Sequence, residues 1–259
     1  RSMYRAAPGN VLVAGDKEQL EFRLVTVAID DEKWREAFLR GTDMHKLNAC
    51  DFFGIPGMDQ VDGFTREFSK ILVYLFFYFG QAKTAHRNIL KVRNPKTGER
   101  PYRSYTVDNT EKVRDRMIAA HPGLPRWWSH IDRELIKREA LRTWILGRTR
   151  LFRDLVTESG VGGDDSDESG NEKYNFEIQA TGGDMMGGDG CLGRAMDALP
   201  HGVYGPGLNH HGHDSLMGEF ERRHEAYARE ALRESMDEVR WGMPFPAKVK
   251  SGERWSDLE

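Results

Sequence analysis

The sequence predicts an α+β fold from three observations: a compact apolar run of strand character near the N-terminus, helical patterns through the middle, and a glycine-flanked strand pair near the C-terminus. Val11 to Ala14 reads as a buried strand ending at Asp16, and the residues after it continue as a second strand or a helix start. "DDEKWREAFLRG" at 31–42 has an acidic first turn and a glycine after its last periodic residue, which is a helix pattern. A further helix is expected from His45 to Phe53. "TREFSKILVYLFFYFGQAKTAHRNIL" is one long helix or two broken near Gly80, and "RNPKTGERPYRS" then carries the turn chemistry of a loop or hairpin. Asp108 to Leu141 is helical with a break at "HPGLP", and "TWILGRTRLF" is extended. "ESGVGGDDSDESGNEK", with the acidic run 164–169, cannot bury itself and reads as a mobile surface loop. "IQATGGDMMGGDGCLGRAMDAL" reads as a helix despite its glycines, and after the strand pair around "HHGHDSLMGEF" a long helix is expected over 219–240.

At 259 residues and 39% hydrophobic content the chain can hold one large core or two small domains. Its 38 basic and 41 acidic residues exclude a uniformly basic nucleic-acid coat but allow a locally basic cleft. Cys50 and Cys191 are too few for a disulfide framework, and no signal sequence is visible, so a reducing, intracellular setting is expected. The longest apolar run, 71–80, is too short to span a bilayer. Adjacent strand residues alternate faces, so "HHGH" at 210–213 cannot converge on a transition metal.

Two features carry chemistry. Asp16 and Asp214 each sit at or beside a predicted strand; if those strands are neighbours, the carboxylates can share two Mg²⁺ ions roughly 3.5–4 Å apart, as in phosphoryl transfer. Taken alone, they fit surface or capping carboxylates better, since two acids distant in sequence have no fixed geometry. Arg66, Lys70, Tyr74 and Tyr78 recur every four residues, drifting only about 40° per step around a helix. Two cations near a helix N-terminus suit a polyphosphate, and rings one and two turns on suit a base or sugar. The same stripe also fits an amphipathic helix with solvated cations and core tyrosines.

In this order the segments resemble the C-terminal polymerase region of family A DNA polymerases, the bacterial polymerase I type, over nearly the whole chain. "DKEQLEFR" is similar to the first palm motif, matching Asp16, Gln19, Glu21 and Arg23. "GTDMHKLNACDFFG" is similar to an Asp-x-His segment that would bring His45 to the triphosphate. "REFSKILVYLFFYFG" resembles the fingers helix, with Arg66 and Lys70 on the triphosphate, Lys70 among the catalytic groups, Tyr74 at the sugar and Tyr78 beside the templating base. "HPGL", "TWILGRTR", "NFEIQATGGD" and "SGERWSDLE" also resemble family segments, and Asn175 and Gln179 would contact the primer–template. "HHGHDS" falls at the last catalytic motif, with Asp214 as second metal ligand and His213 near the primer end.

The resemblance implies a right-hand polymerase: an antiparallel palm sheet from residues 1–30 and 141–259, with helical fingers over 31–140 between them. It implies DNA-directed addition of dNTPs to a primer 3′ end with two Mg²⁺ ions, or Mn²⁺ as substitute, in a bacterial or phage-infected cell. Primer–template DNA and dNTPs are the expected partners. Thumb and exonuclease regions are missing from the match, so the chain is expected to be a fragment or one part of a split enzyme. Gln19 and Glu21 join the expected dNTP contacts, Glu21 packing under the sugar and excluding a 2′-hydroxyl. Ser215 stands where the family's DNA polymerases usually carry an acid; "His-Asp-Ser" is similar to single-subunit phage-type RNA polymerases, and a catalytically silent nucleic-acid-binding subunit is the other alternative. Tyr74 stands where many relatives have phenylalanine, implying ready use of dideoxynucleotides. Leu75 and Phe79 replace family glycines, implying unusual packing in the fingers.

Overall fold

The computed structural model describes residues 4–93, 98–100, 102–157, 160–161, 171–201 and 206–258; the acidic run 164–169 lies outside them. In chain order the elements are β1 (Asn10–Lys17), α1 (Leu20–Ala28), α2 (Glu32–Leu39), α3 (Met44–Phe53), α4 (Gly63–Phe77), α5 (Ala82–Ile89), α6 (Val107–Ala120), α7 (Gly123–Arg138), β2 (Ala140–Arg142), β3 (Thr149–Leu151), β4 (Val156–Thr157), β5 (Gly160–Val161), α8 (Glu172–Met186), α9 (Cys191–Ala198), β6 (Gly207–His211), β7 (Ser215–Glu221), α10 (Glu225–Met236), β8 (Glu238–Arg240), β9 (Met243–Phe245) and β10 (Ala247–Gly252). The expected α+β class is found. No described helix is long and apolar enough to cross a membrane.

The chain divides into two compact units, one of Arg1–Leu24, Thr143–Gly147 and Ile178–Glu259, the other of Val25–Arg142 and Arg148–Glu177. The helical unit therefore takes in residues 148–177, which the sequence reading assigned to the second palm segment.

The first unit is built on an antiparallel sheet in the order β10-β1-β7-β6. Strand alternation sends Val11, Val13, Gly15 and Lys17 of β1 to one face and Leu12, Ala14 and Asp16 to the other. Helix α10 covers the first face so closely that a Cβ at Gly15 would stand 2.5 Å from Met236 Sδ and 3.3 Å from Leu232. Lys17 is 1% exposed; its ammonium donates to the carbonyls of Met236 and Phe245 and to Glu238 Oε1, the last two at 3.0 Å. All three of its donors are therefore satisfied. Although burial raises the Glu238 pKa, Lys17 and Arg240 hold it below the usual carboxylate range. A type of lock results, joining β1 to the α10 terminus and the β8–β9 hairpin.

The second unit is mainly helical, with Trp34, Phe52, Phe68, Phe76 and Phe77 fully buried. Aspartates cap its helices: Asp31 accepts from Trp34 N, Asp43 from His45 N and Lys46 N, and Asp62 from Thr65 N. Asp31 also lies 2.7 Å from Nδ1 of the buried His121, whose ring stacks on Trp34 at 3.7 Å. Here too burial raises the Asp31 pKa, yet these hydrogen bonds hold it low.

Three local expectations are corrected. Residues 143–148 are a turn between β2 and β3, not an extended run, because Trp144 N and Leu146 N donate to Thr181 Oγ1 and Asp184 Oδ2. The segment from Ile178 to Leu199 is two helices, α8 and α9, broken at the glycine-rich residues 187–190, where a Cβ at Gly190 would collide with the Met185 carbonyl. The long helix over 219–240 shrinks to α10, with its first residues in β7 and its last in β8. The strand pair expected around residues 210–220 is present as the β6–β7 hairpin, whose turn holds His213 and Asp214.

Replacing Glu238 with Ala leaves the Lys17 ammonium buried against carbonyls alone, and urea unfolding at pH 7 is expected to register a loss of about 3 kcal/mol.

Candidate active site

Register places the two expected metal ligands side by side. Asp16 pairs with Ser215 across β1 and β7, and Lys17 N–H donates to the Asp214 carbonyl at 2.8 Å. The free face of the sheet forms a cavity of about 600 Å³ lined by Asp16, Asp214, Glu18, His210, Lys248 and Lys250, among others. Partial burial, then the Asp214 and Glu18 carboxylates, push the Asp16 pKa up to about 6, against a smaller opposing pull from Lys250. Crowded carboxylates of this kind are relieved by a cation.

Their oxygen donors suit a hard divalent ion such as Mg²⁺, which binds through one or two carboxylates and completes its shell with water and phosphate. Among the described residues no group of three or more His, Cys, Asp or Glu side chains is arranged to hold a metal. The fit is thus to an ion shared with a phosphate ligand, not to an all-protein cage.

The turn after β1 carries the next residues. Gln19 has a left-handed backbone (φ 54°) and its buried Oε1 has no hydrogen-bond partner among the described residues. Such conformations concentrate at functional sites. Glu21, in the first turn of α1, lies 3.5 Å from His213 Nε2, and this contact raises the His213 pKa. Arg23 donates to the carbonyls of Glu18 and Pro244, both at 2.8 Å, tying α1 to the hairpin.

In the helical unit, α4 carries Arg66, Lys70 and Tyr74 on one slowly winding stripe, as expected. Tyr78 is the C-cap, outside the helix proper. Lys70 is exposed, whereas Arg66 Nε already donates to Asp43 at 2.7 Å. His45, 4% exposed, has its ring 6.3 Å from that of Tyr74; burial, then Arg66 and Lys70, push its pKa down to about 4, so it is neutral at pH 7.

Helix α4 ends in a Schellman motif, with Gly80 N–H on the Leu75 carbonyl and Phe79 N–H on the Phe76 carbonyl. The left-handed position of that motif, usually glycine, is Phe79 (φ 60°). Its ring centroid lies 5.0 Å from that of Trp128 and 5.3 Å from that of Tyr174, and the Arg114 guanidinium stands 5.5 Å from it. Aromatic packing therefore holds a backbone geometry that phenylalanine disfavours.

Asn175 and Gln179 lie one turn apart on α8; Gln179 is exposed, and the buried Asn175 Oδ1 has no hydrogen-bond partner among the described residues. Sequence reasoning missed Glu18, His210, Lys248 and Lys250 as cavity residues. The spacing of the lysines in "AKVKSG" carried the signal, once that segment is known to be a strand.

Residues 1–257 match the family model described as DNA polymerase family A. DNA polymerase I of Chloroflexus aurantiacus is 26% identical over 270 aligned residues, covering 100% of this chain and 25% of that protein. DNA polymerase I of Aquifex aeolicus is 23% identical over 72% of this chain and 28% of its own length. The chain thus spans about a quarter of the length of these curated relatives. Among solved structures, the POL domain of Pol1 from M. smegmatis, in complex with DNA primer-template and dNTP, superposes with a TM-score of 0.80 at 19% identity, over 100% of this chain and 42% of that one. This likeness establishes the fold.

Two stability outcomes follow. The folded Asp16 pKa of about 6 lies above its ordinary 3.8, so the folded chain binds that proton more tightly and loses stability as pH rises through this window. Without divalent ions, Asp16→Asn is expected to unfold at higher urea than wild type at pH 8, by about 1 kcal/mol after allowing for solvent screening, and the difference should vanish near pH 4. At the α4 terminus, Phe79→Gly and Phe79→Ala both lose the ring, but only the alanine keeps the positive-φ penalty; thermal melts should rank glycine above alanine by about 1 kcal/mol.

Proposed function

The chain belongs to DNA polymerase family A, and on that premise we propose that it is the palm-and-fingers portion of a template-directed DNA polymerase, adding dNTPs to a primer 3′ end. The observation that carries this reading is the pairing of β1 with β7, which sets Asp16 beside Asp214 at one cavity. In this reading the palm is the sheet unit and the fingers are the helical unit.

Two Mg²⁺ ions, or Mn²⁺ in their place, would supply the lowered pKa of the primer hydroxyl and the charge stabilisation of the departing pyrophosphate. Asp16 and Asp214 hold those ions. Lys70, exposed on α4, neutralises triphosphate charge, and Arg66 does so by exchanging Asp43 for a phosphate oxygen, a charge-assisted contact of the same kind. His45 is neutral, so it contributes a hydrogen bond and not a charge. Tyr74 packs at the sugar and Tyr78 at the templating base. Gln19 contacts the incoming nucleotide, Asn175 and Gln179 the primer–template, and His213 the primer terminus. Glu21, fixed against His213, excludes a 2′-hydroxyl, which favours DNA over RNA synthesis despite Ser215. A thumb-bearing portion or subunit that grips the duplex belongs to this reading, as does a location inside the cell with DNA.

Single-nucleotide extension of a primed DNA template with Mg²⁺ tests it. Wild type should incorporate the complementary dNTP, and Asp214→Asn should lose at least about a thousandfold in rate, the several kcal/mol that metal-supported charge stabilisation supplies. Glu21→Ala should raise incorporation of the matching ribonucleotide relative to dNTP. A folded wild-type chain that binds primer–template yet incorporates nothing, even with a thumb-bearing portion added, would sink the proposal.

A further inference from the structure

The cavity beside Asp16 is lined by two ammonium groups to which the mechanism above gives no task. We infer that Lys248 and Lys250 of β10 are a phosphate-binding pair for the primer strand, positioning it along the sheet beside the two aspartates. The inference rests on the polymerase reading of the same site.

Register fixes where these side chains start. Lys248 pairs with Asp16 and Lys250 with Ala14 across β1 and β10, and on the other side of β1 Asp16 pairs with Ser215 and Ala14 with Met217. Directly opposed antiparallel residues share a face, so both lysines project from the face that bears Asp16, and both line its cavity. Two residues apart on one strand, they stand about 6.6–6.8 Å from each other. That is comparable to the step between successive phosphates of a nucleic-acid strand.

Charge explains why such a pair would be there. A fixed cation next to cation-binding carboxylates opposes metal binding unless an anion crosses the same surface, and both lysines line the cavity that Asp16 lines. Acids and bases are also segregated. Asp16, Glu18 and Asp214 lie on β1, just after it, and in the β6–β7 turn, while the lysines form a line along the edge strand. A line of positive charge parallel to a strand suits a chain of phosphates better than the compact triphosphate, which Arg66 and Lys70 are assigned to hold.

Fluorescence anisotropy of a labelled primer–template, titrated with the purified chain from about 50 to 200 mM salt, tests the assignment alongside steady-state dNTP incorporation. Lys248→Gln and Lys250→Gln should each weaken DNA binding about three- to tenfold at the low-salt end, and the double variant should reduce the salt slope by about 1.8, the counterions released by two phosphates. Lys→Arg at both positions should restore the slope, with KM for dNTP and the melting temperature unmoved throughout. An effect confined to KM for dNTP would assign the pair to the triphosphate and overturn the inference. So would self-association of the variants with unchanged DNA binding, the sign that the lysines merely protect a sheet edge. If wild type incorporates dNTP and the Gln variants bind DNA as it does, only the lysine assignment falls; if wild type binds no primer–template even with a thumb-bearing portion added, the polymerase reading falls with it.

Discussion

A buried ammonium fixes the strand on which the candidate site is built. Lys17 follows Asp16 directly, so strand alternation forces one into the core and the other onto the open face. Desolvating the lysine is tolerable only because Glu238 and two main-chain carbonyls surround it. Those partners come from the α10 terminus and the β8–β9 hairpin, so this contact orders three elements at once. Gly15, two residues before Lys17, lets α10 approach near enough for the same purpose. The orientation of Asp16 is thus set from behind, by packing that has no part in chemistry.

The helical unit uses aspartates in a comparable double role. Asp31 caps α2 and holds His121, while Asp43 caps α3 and holds Arg66. Each links a local helix start to a residue far along the chain. Helix α4 inherits its position from these contacts at one end and from the aromatic packing around Phe79 at the other.

Much of this was legible in the sequence where structure is local. The apolar run of β1, the acidic first turn of α2 and the stripe of α4 are short-range patterns, and each appears as read except that Tyr78 falls at the α4 C-cap. The proximity of Asp16 and Asp214 is not local: it depends on pairing between strands some two hundred residues apart, and only the family resemblance pointed to it. The turn at 143–148 is not legible locally, because the Trp144 and Leu146 main-chain donors are satisfied by Thr181 and Asp184, which no window around Trp144 contains. The long helix expected over 219–240 failed for a related reason. Glu219 to Glu221 are drawn into β7 by their pairing with Asn10, Val11 and Leu12, a tertiary claim stronger than helix propensity. Lys248 and Lys250 became meaningful only once β10 was seen to flank β1.

The contact between Arg66 and Asp43 has a consequence for how the helical unit would meet an anion. Asp43 offers the guanidinium a carboxylate oxygen at 2.7 Å, the same kind of acceptor that a phosphate would present. Any phosphate arriving there meets a competitor at fixed, very high local concentration, and its apparent affinity is the difference between two similar contacts. Under the proposed function, such competition favours exchange of the anion over its tight retention.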